Sequence, residues 1–139
     1  MFQGRSKFET NVGLDLQKRL VKFKYEAKQY EYKCKPYNAT CSNCGSKEVW
    51  EKRKYTPDFF LPNGIIIEAK GRWIAKERKI LLAIREDYPE LDIRMLFQYN
   101  NWLTKKHTQR YGDWCDKRDI KWSVGYVPEE WTSARINDR

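Results

Sequence analysis

The turn Pro62-Asn63-Gly64 restricts the fold more than any other feature of the sequence, because it joins two apolar segments at residues 55–61 and 65–70. Proline suits the second position of a type I turn, and glycine suits the left-handed position that completes a three-residue hairpin loop. The sequence therefore predicts two antiparallel strands with one defined register.

That register brings charged residues together. Counting outward from the loop pairs Leu61 with Ile65 and Asp58 with Glu68. Directly opposed residues share one face of a sheet with their β-carbons about 5 Å apart, and Lys70, two residues beyond Glu68, projects to the same face. A two-residue loop would instead shift the pairing and place the two acids on opposite faces. We therefore predict that two carboxylates and an ammonium group converge.

The converging charges indicate a metal site. Two carboxylates this close repel one another when ionised, and a hard divalent cation such as Mg²⁺ or Mn²⁺ relieves the repulsion. The cation can activate a water and polarise a phosphoryl oxygen, and Lys70 can orient that water or neutralise charge on the phosphate. The alternative is a solvated strand face that binds nothing. The isoleucines at residues 65–67 favour a buried acid pair, which is costly without a partner.

Periodicity along the rest of the chain predicts an α/β fold with a mixed sheet. Residues 6–20 carry a capping box followed by apolar residues at helical spacing, and residues 73–88 form a second helix that Pro89 ends. The apolar strand at residues 93–97 then completes a strand, helix and strand in the order of a crossover unit. Weaker patterns predict a tyrosine-rich strand or ribbon from residue 21, a helix at 108–118, a strand at 121–124 and a turn at 128–131.

Length and charge limit the class of protein. The chain has 139 residues, which fits one domain, residues 1–139, with an irregular cysteine-containing insertion at about residues 34–54. Lysine and arginine total 28 against 19 acidic residues, so the net charge is +9 and indicates a polyanionic partner, above all DNA. No apolar run is long enough to cross a bilayer and no signal sequence is evident, so we expect a cytoplasmic protein without a membrane partner.

The cysteines suggest a second, structural metal. Cys41 and Cys44 have the spacing of half a zinc-ribbon knuckle, and Cys34 lies close enough upstream to be a third ligand. A fourth ligand could come from Cys115, His107 or a partner subunit, and a structural Zn²⁺ would then staple the insertion. The alternative is a set of reduced thiols in a loop. His107 lies among basic residues, where a DNA-facing or solvated position is favoured over a catalytic one.

Basic residues around the hairpin and near the start of the chain are candidates for phosphate contacts, with general solubility as the alternative. They are Arg5, Lys52, Arg53, Lys54, Arg72, Lys76 and Arg78. The tryptophans Trp73, Trp102 and Trp114 are expected in the core rather than stacked on bases.

Three motifs carry a resemblance to a known family: Arg5-Ser6-Lys7-Phe8-Glu9, then residues 55–64 beginning Tyr-Thr-Pro-Asp, then Glu68-Ala69-Lys70-Gly71. In this order, and with residues 78–86, 89–94 and 128–131, the chain resembles the bacteriophage endonuclease I family of T-odd coliphages, in the PD-(D/E)XK nuclease superfamily. The resemblance implies a restriction-endonuclease-like mixed β-sheet flanked by helices and an intertwined, domain-swapped homodimer in the host-cell cytoplasm. It also implies a structure-selective endonuclease that resolves four-way (Holliday) junctions and other branched DNA with two divalent metals per site.

By the same resemblance, Asp58, Glu68 and Lys70 take the catalytic positions, and Glu9 joins Asp58 and Glu68 as a metal ligand. In that family the first helix of one subunit completes the active site of the other. Glu9 also has a local explanation, because the third position of a capping box favours glutamate. The catalytic role and the capping role therefore both remain open for Glu9.

Two departures from the family pattern leave other functions open. The segment that bridges the subunits in the family is longer here and contains the cysteines, and basic tails are absent or short. These differences bear on the exchanged helix and the junction preference. One alternative is a site-specific homing or nicking endonuclease on the same scaffold. The other is a non-catalytic DNA-binding module with vestigial acids.

Overall fold

The computed structural model describes residues 2–34 and 51–133. The helices and strands within them are, in chain order, α1 (Lys7–Lys18), β1 (Lys24–Tyr25), β2 (Tyr30–Cys34), β3 (Glu51–Tyr55), β4 (Phe59–Phe60), β5 (Ile65–Lys70), α2 (Ala75–Asp87), β6 (Asp92–Phe97), α3 (Tyr111–Asp116), β7 (Trp122–Val124) and α4 (Glu129–Ser133). The predicted helices and most predicted strands are present within a few residues of the expected boundaries, and residues 129–133 form a short helix where a turn was predicted.

The main sheet is mixed. Its five strands follow the order β1-β4-β5-β6-β7. The β1–β4 and β4–β5 pairs are antiparallel, whereas β5–β6 and β6–β7 are parallel. Helix α2 connects the parallel strands β5 and β6, as the predicted crossover unit requires. The α/β class with a mixed sheet is therefore confirmed.

The hairpin has the predicted register. Phe59 pairs with Ile67 and Phe60 with Ile66, and the Leu61 amide donates to the Ile65 carbonyl at 2.9 Å. Gly64 takes the left-handed conformation, with φ of 91°, that the bulged loop needs. Extending the same pairing by one residue places Asp58 opposite Glu68.

The first arm of the hairpin is shorter than predicted. Residues 55–61 were expected to be one strand, but Tyr55 ends β3 of a separate ribbon and regular pairing resumes only at Phe59. Pro57 has no amide to donate to a ladder, and the Asp58 amide donates to a side chain instead. The break therefore follows from the residues that build the site.

The β2–β3 ribbon flanks residues 35–50 and packs against α2. Tyr30 and Tyr32 are buried, and the Tyr88 hydroxyl donates to the Glu31 carbonyl at 2.7 Å. The tyrosines predicted on a half-exposed ribbon thus belong to the core. Of the predicted insertion at 34–54, the described residues are Cys34, which ends β2, and 51–54, which belong to β3.

Two apolar layers cover the main sheet. Alternate residues of β5 divide between them: Ile65, Ile67 and Ala69 face α1, whereas Ile66 faces α2 and the ribbon. Because side chains alternate along a strand, Glu68 and Lys70 share the face of Ile66. The acids therefore project on the α2 side, at the end of β5.

Candidate metal centre

Backbone amides of the hairpin hold the carboxylates of Asp58 and Glu68 in place. The Asp58 amide donates to Glu68 Oε1 at 2.8 Å, and the Ala69 amide donates to Asp58 Oδ2 at 2.9 Å. Both side chains are buried, with 8% of Asp58 and 4% of Glu68 exposed. Each carboxylate therefore keeps one oxygen on a backbone amide while its other oxygen can face a ligand.

Lys70 lies beside this pair but is held by a further acid. Its Nζ is 3.8 Å from Glu68 Oε2 and only 2.6 Å from Glu77 Oε2. Glu77 stands in the first turn of α2, where its Oε1 also accepts from the Ile74 amide at 3.4 Å. No local pattern in the sequence connects Glu77 with the hairpin, because only the packing of α2 brings it there.

Two more acids reach the pair from the start of the chain. Carboxylate oxygens of Glu9, Glu26 and Asp58 lie within 4.8 Å of one another. The Ser6 hydroxyl accepts from the Glu9 amide at 3.1 Å as a helix cap, while the Glu9 carboxylate accepts from the Tyr25 hydroxyl at 2.9 Å. Glu9 thus belongs to the cap through its backbone and to the acid cluster through its side chain.

Glu26 was not predicted as a site residue. It follows β1 in the left-handed conformation, with φ of 49°, and its amide donates to the Asp58 carbonyl at 2.8 Å. Arg5 Nε lies 2.7 Å from Glu26 Oε1. The left-handed backbone and this amide contact direct Glu26 to Asp58, and neither is visible as a pattern in the sequence.

The surroundings of Asp58 and Glu68 disfavour the ionised form of both carboxyl groups. Burial raises the pKa of Asp58, and the charge of Glu68 raises it further. Burial also raises the pKa of Glu68, although Lys70 opposes that change. Burial lowers the pKa of Lys70, but the charges of Glu68 and Glu77 outweigh it, so the ammonium form is favoured.

This donor set fits a hard divalent cation. Clustered carboxylate oxygens are the ligands that Mg²⁺ and Mn²⁺ prefer, and a cation would remove the repulsion that raises the pKa values. The acids line a cleft of about 280 Å³ whose wall includes Arg5, Lys70 and Glu77. The cleft has room for ions with their waters beside the lysine.

The predicted phosphate contacts occupy different surroundings. Arg72, Lys76 and the ribbon residues at 52–54 are exposed. Arg5 lies at the wall of the cleft, where it forms an ion pair with Glu26. Arg78 is half-buried and donates to the Trp73 carbonyl at 2.8 Å. Arg78 therefore holds Trp73 in place, which makes it the least available of these residues for DNA.

The predicted zinc ligands are mostly outside the described residues. Cys41 and Cys44 lie there, as does the side chain of Cys34. Cys115 is fully buried in the core, where burial raises its pKa to about 12. His107 is exposed and stacks on Trp102, with ring centroids 5.0 Å apart. A protonated core thiol is a poor metal ligand, so neither the position nor the chemistry of Cys115 favours it as the fourth.

The fold and the site together define an α/β protein whose mixed sheet carries an acid-rich centre suited to divalent metal, with a lysine at its edge. The sequence model of the family Phage endonuclease I matches residues 2–138. The chain belongs to the phage endonuclease I family.

Curated relatives agree with that assignment. The chain is 41% identical over 128 residues to Endonuclease I of Escherichia phage T7, covering 91% of this chain and 76% of the relative. It is 39% identical over 125 residues to Endodeoxyribonuclease 1 of Enterobacteria phage T3, covering 89% and 73%. Within residues 2–34 and 51–133, no helix has the length and apolar character needed to traverse a membrane.

Proposed function

We propose that this protein is a DNA endonuclease that hydrolyses phosphodiester bonds with Mg²⁺ or Mn²⁺. The observation that carries the proposal is the amide-locked pair of Asp58 and Glu68 with Lys70 beside it. The family assignment supports it, because the relatives are named as endonucleases. The net charge of +9 supports a DNA substrate.

Each residue has a distinct task in this proposal. Asp58, Glu68 and Glu9 would hold two metal ions, which supply Lewis-acid chemistry and an activated water. The ammonium group of Lys70 would neutralise negative charge on the phosphate, and Glu77 fixes the direction of that group. The buried walls of the cleft strengthen these electrostatic effects by excluding bulk water.

Branched DNA is the proposed substrate. The direct test compares cleavage of a four-way junction with that of a linear duplex of matched sequence, in Mg²⁺, in Mn²⁺ and in EDTA. We expect metal-dependent cleavage with a preference for the junction. Preference for one unbranched sequence would instead indicate a site-specific homing or nicking enzyme on this restriction-endonuclease-like scaffold. Binding without cleavage in either metal would indicate a non-catalytic binding module and overturn the proposal.

We also propose a homodimer in which the first helices are exchanged. Helix α1 brings Glu9 to the hairpin through tertiary contacts, which include apolar packing and the hydrogen bond from Tyr25, and a second copy of the chain can supply contacts of the same kind. The test mixes Glu9→Gln chains with Glu68→Gln chains after joint refolding. Exchange rebuilds one intact site per mixed dimer, so activity reappears. Without exchange every site carries one lesion, and the mixture stays inactive.

A structural Zn²⁺ on Cys34, Cys41 and Cys44 is proposed on the spacing of those cysteines alone. Elemental analysis of protein purified without chelator tests it. We expect about one zinc per chain, lost when Cys41 and Cys44 are both changed to serine. Metal-free protein with four titratable thiols would contradict the proposal.

A further inference from the structure

Three aromatic side chains remain exposed within the described part of the chain. Tyr99 is 63% exposed, Trp102 37% and Tyr126 65%. We refer to these three as the aromatic surface. Trp102 was expected in the core, as Trp73 and Trp114 are, so its exposure corrects that prediction. Exposing large rings costs free energy unless another molecule covers them.

The segments that carry the three rings begin at the end of the sheet that carries Lys70. Lys70, the last residue of β5, pairs with Phe97, the last residue of β6, and the Gln98 amide donates to the Lys70 carbonyl at 2.9 Å. The Gly125 amide in turn donates to the Phe97 carbonyl at 2.8 Å. Adjacent strands are about 4.8 Å apart, so the segment after β6, which carries Tyr99 and Trp102, leaves the sheet next to Lys70. The segment after β7, which carries Tyr126, leaves it one strand farther away.

The loop at residues 98–110 is ordered by its own contacts. The Asn100 side chain accepts from the Gly112 amide at 2.9 Å, and its carbonyl accepts from Arg110 Nη1 at 2.9 Å. The Trp102 ring contacts both His107, at an interplanar angle of 12°, and Arg110, whose Cζ is 4.1 Å from the ring centroid. The Trp102 ring is therefore positioned in advance of any ligand, which lowers the entropic cost of binding.

The charge of this loop favours a polyanion over a protein partner. Residues 98–110 include the exposed cations Lys105, Lys106 and Arg110 and contain no acidic residue. Rings interleaved with cations are the arrangement that binds unpaired nucleotides, because bases stack on the rings while phosphates meet the cations. In a continuous duplex the base faces are covered, whereas a bulge or a branch point uncovers them.

We propose that Tyr99, Trp102 and Tyr126 bind the uncovered faces of unpaired bases next to the scissile phosphate. The proposal rests on the DNA endonuclease function and adds the feature of the DNA that this surface recognises. It places recognition of the disturbed base stack at the end of the sheet where Lys70 and the acids lie. Fully paired flanking DNA would be held by the dispersed basic residues instead.

The test measures binding in EDTA, so that cleavage cannot interfere. The ligands are a duplex with a short bulge that contains 2-aminopurine and a fully paired duplex of matched length. The variants are Tyr99→Ala with Tyr126→Ala, and separately Trp102→Ala, with Leu82→Ala as the control for an exposed apolar residue on α2. Tyr99 and Tyr126 are mostly exposed, so the double variant should keep the fold.

We expect the wild type to change 2-aminopurine fluorescence in the bulge, and each ring removed to weaken bulge binding about fivefold or more. Affinity for paired duplex and its cleavage in Mg²⁺ should stay within about twofold, as should all properties of Leu82→Ala. Wild-type bulge affinity in the double variant would overturn the proposal while leaving the endonuclease function standing. A wild type that neither binds nor cleaves any of these DNAs would instead refute the endonuclease function itself.

Discussion

The two halves of the candidate metal centre are held in place by different means. The hairpin half consists of Asp58, Glu68 and Lys70, which lie on the two arms of one hairpin. Backbone amides donate to the Glu68 carboxylate at 2.8 Å and to the Asp58 carboxylate at 2.9 Å. The helix half, Glu9 and Glu26, comes from α1 and the residue after β1. The hairpin half therefore has one available geometry, whereas the helix half depends on contacts between distant parts of the chain.

The contacts of the helix half join separate segments of the chain. Tyr25 donates to Glu9 at 2.9 Å, and the Tyr25 hydroxyl itself accepts from the Arg5 amide at 3.0 Å. Burial raises the pKa of Tyr25, so its hydroxyl keeps the proton that it donates. Substitutions in the hairpin half should therefore abolish the chemistry, and those in the helix half should loosen the metal.

The largest effect is expected from Glu68→Gln or Asp58→Asn. Each removes an anionic ligand whose position is fixed by the backbone, and cleavage of a junction should fall by about 10³-fold or more. DNA affinity in EDTA should change little, because the basic surface supplies it. The measurement is a single-turnover cleavage rate beside a binding titration. Cleavage at wild-type rates in either variant would remove that residue from the site.

A smaller effect is expected from Glu26→Gln. Its carboxylate lies within 4.8 Å of oxygens of Glu9 and Asp58, so its loss should weaken Mn²⁺ binding about 10- to 100-fold. The maximum cleavage rate at saturating Mn²⁺ should stay near that of wild type. Binding is measured by the loss of the free Mn²⁺ electron paramagnetic resonance signal. Glu31→Gln, an exposed acid on β2, is the matched control.

Equal Mn²⁺ affinity in wild type and Glu26→Gln would contradict the role of Glu26. A variant with normal Mn²⁺ affinity and no cleavage would also contradict the comparison, because it would place Glu26 in the chemistry. Arg5→Ala refines the result. The Arg5 guanidinium competes for Glu26, so its removal should tighten Mn²⁺ binding rather than weaken it.

The same comparison explains what could be predicted from the sequence. A turn of known geometry fixes the register over a few residues, so the meeting of Asp58 and Glu68 followed from Pro62-Asn63-Gly64. The positions of Glu26 and Glu77 depend on how β1 and α2 pack against the hairpin. Local patterns carry no information on such long-range contacts, and the helix dipole alone favours an acid such as Glu77 in the first turn of a helix.

Lys70 combines both kinds of support within the hairpin half. Its backbone belongs to β5, whereas its ammonium group contacts Glu77 of α2. Glu77→Gln keeps a capping side chain at the third position of α2 but removes the charge 2.6 Å from Lys70 Nζ. We expect the cleavage rate to fall about 10-fold while DNA affinity stays unchanged.

The pattern of rescue separates positioning from stability. Glu77→Asp should recover part of the rate, because a carboxylate returns, whereas Glu86→Gln on the same helix should have no effect. A parallel loss of melting temperature and rate in Glu77→Gln would assign the residue a purely structural role. An unchanged rate would mean that Glu68 alone suffices to orient Lys70.

The smallest effect is expected in the stability of the protein without metal. Burial and the charge of Glu68 raise the pKa of Asp58 in the folded state above its unfolded value. The folded protein therefore binds the proton more tightly, and its stability falls as the pH rises from the ordinary carboxyl range toward the raised value. Asp58→Asn cannot ionise, so it escapes that loss. In EDTA at neutral pH we expect the free energy of unfolding of Asp58→Asn to exceed that of wild type by about 1 kcal/mol.

Mg²⁺ should reverse the order, because it stabilises only a protein that can bind it. Thermal unfolding of wild type and Asp58→Asn, with and without Mg²⁺, at acidic and neutral pH, measures both effects. The gap in EDTA should close near pH 4, where the unfolded carboxyl also takes up its proton. A variant less stable than wild type in EDTA would mean that the amide bonds to Asp58 outweigh the repulsion. The hairpin half would then be held by its own hydrogen bonds even without the cation.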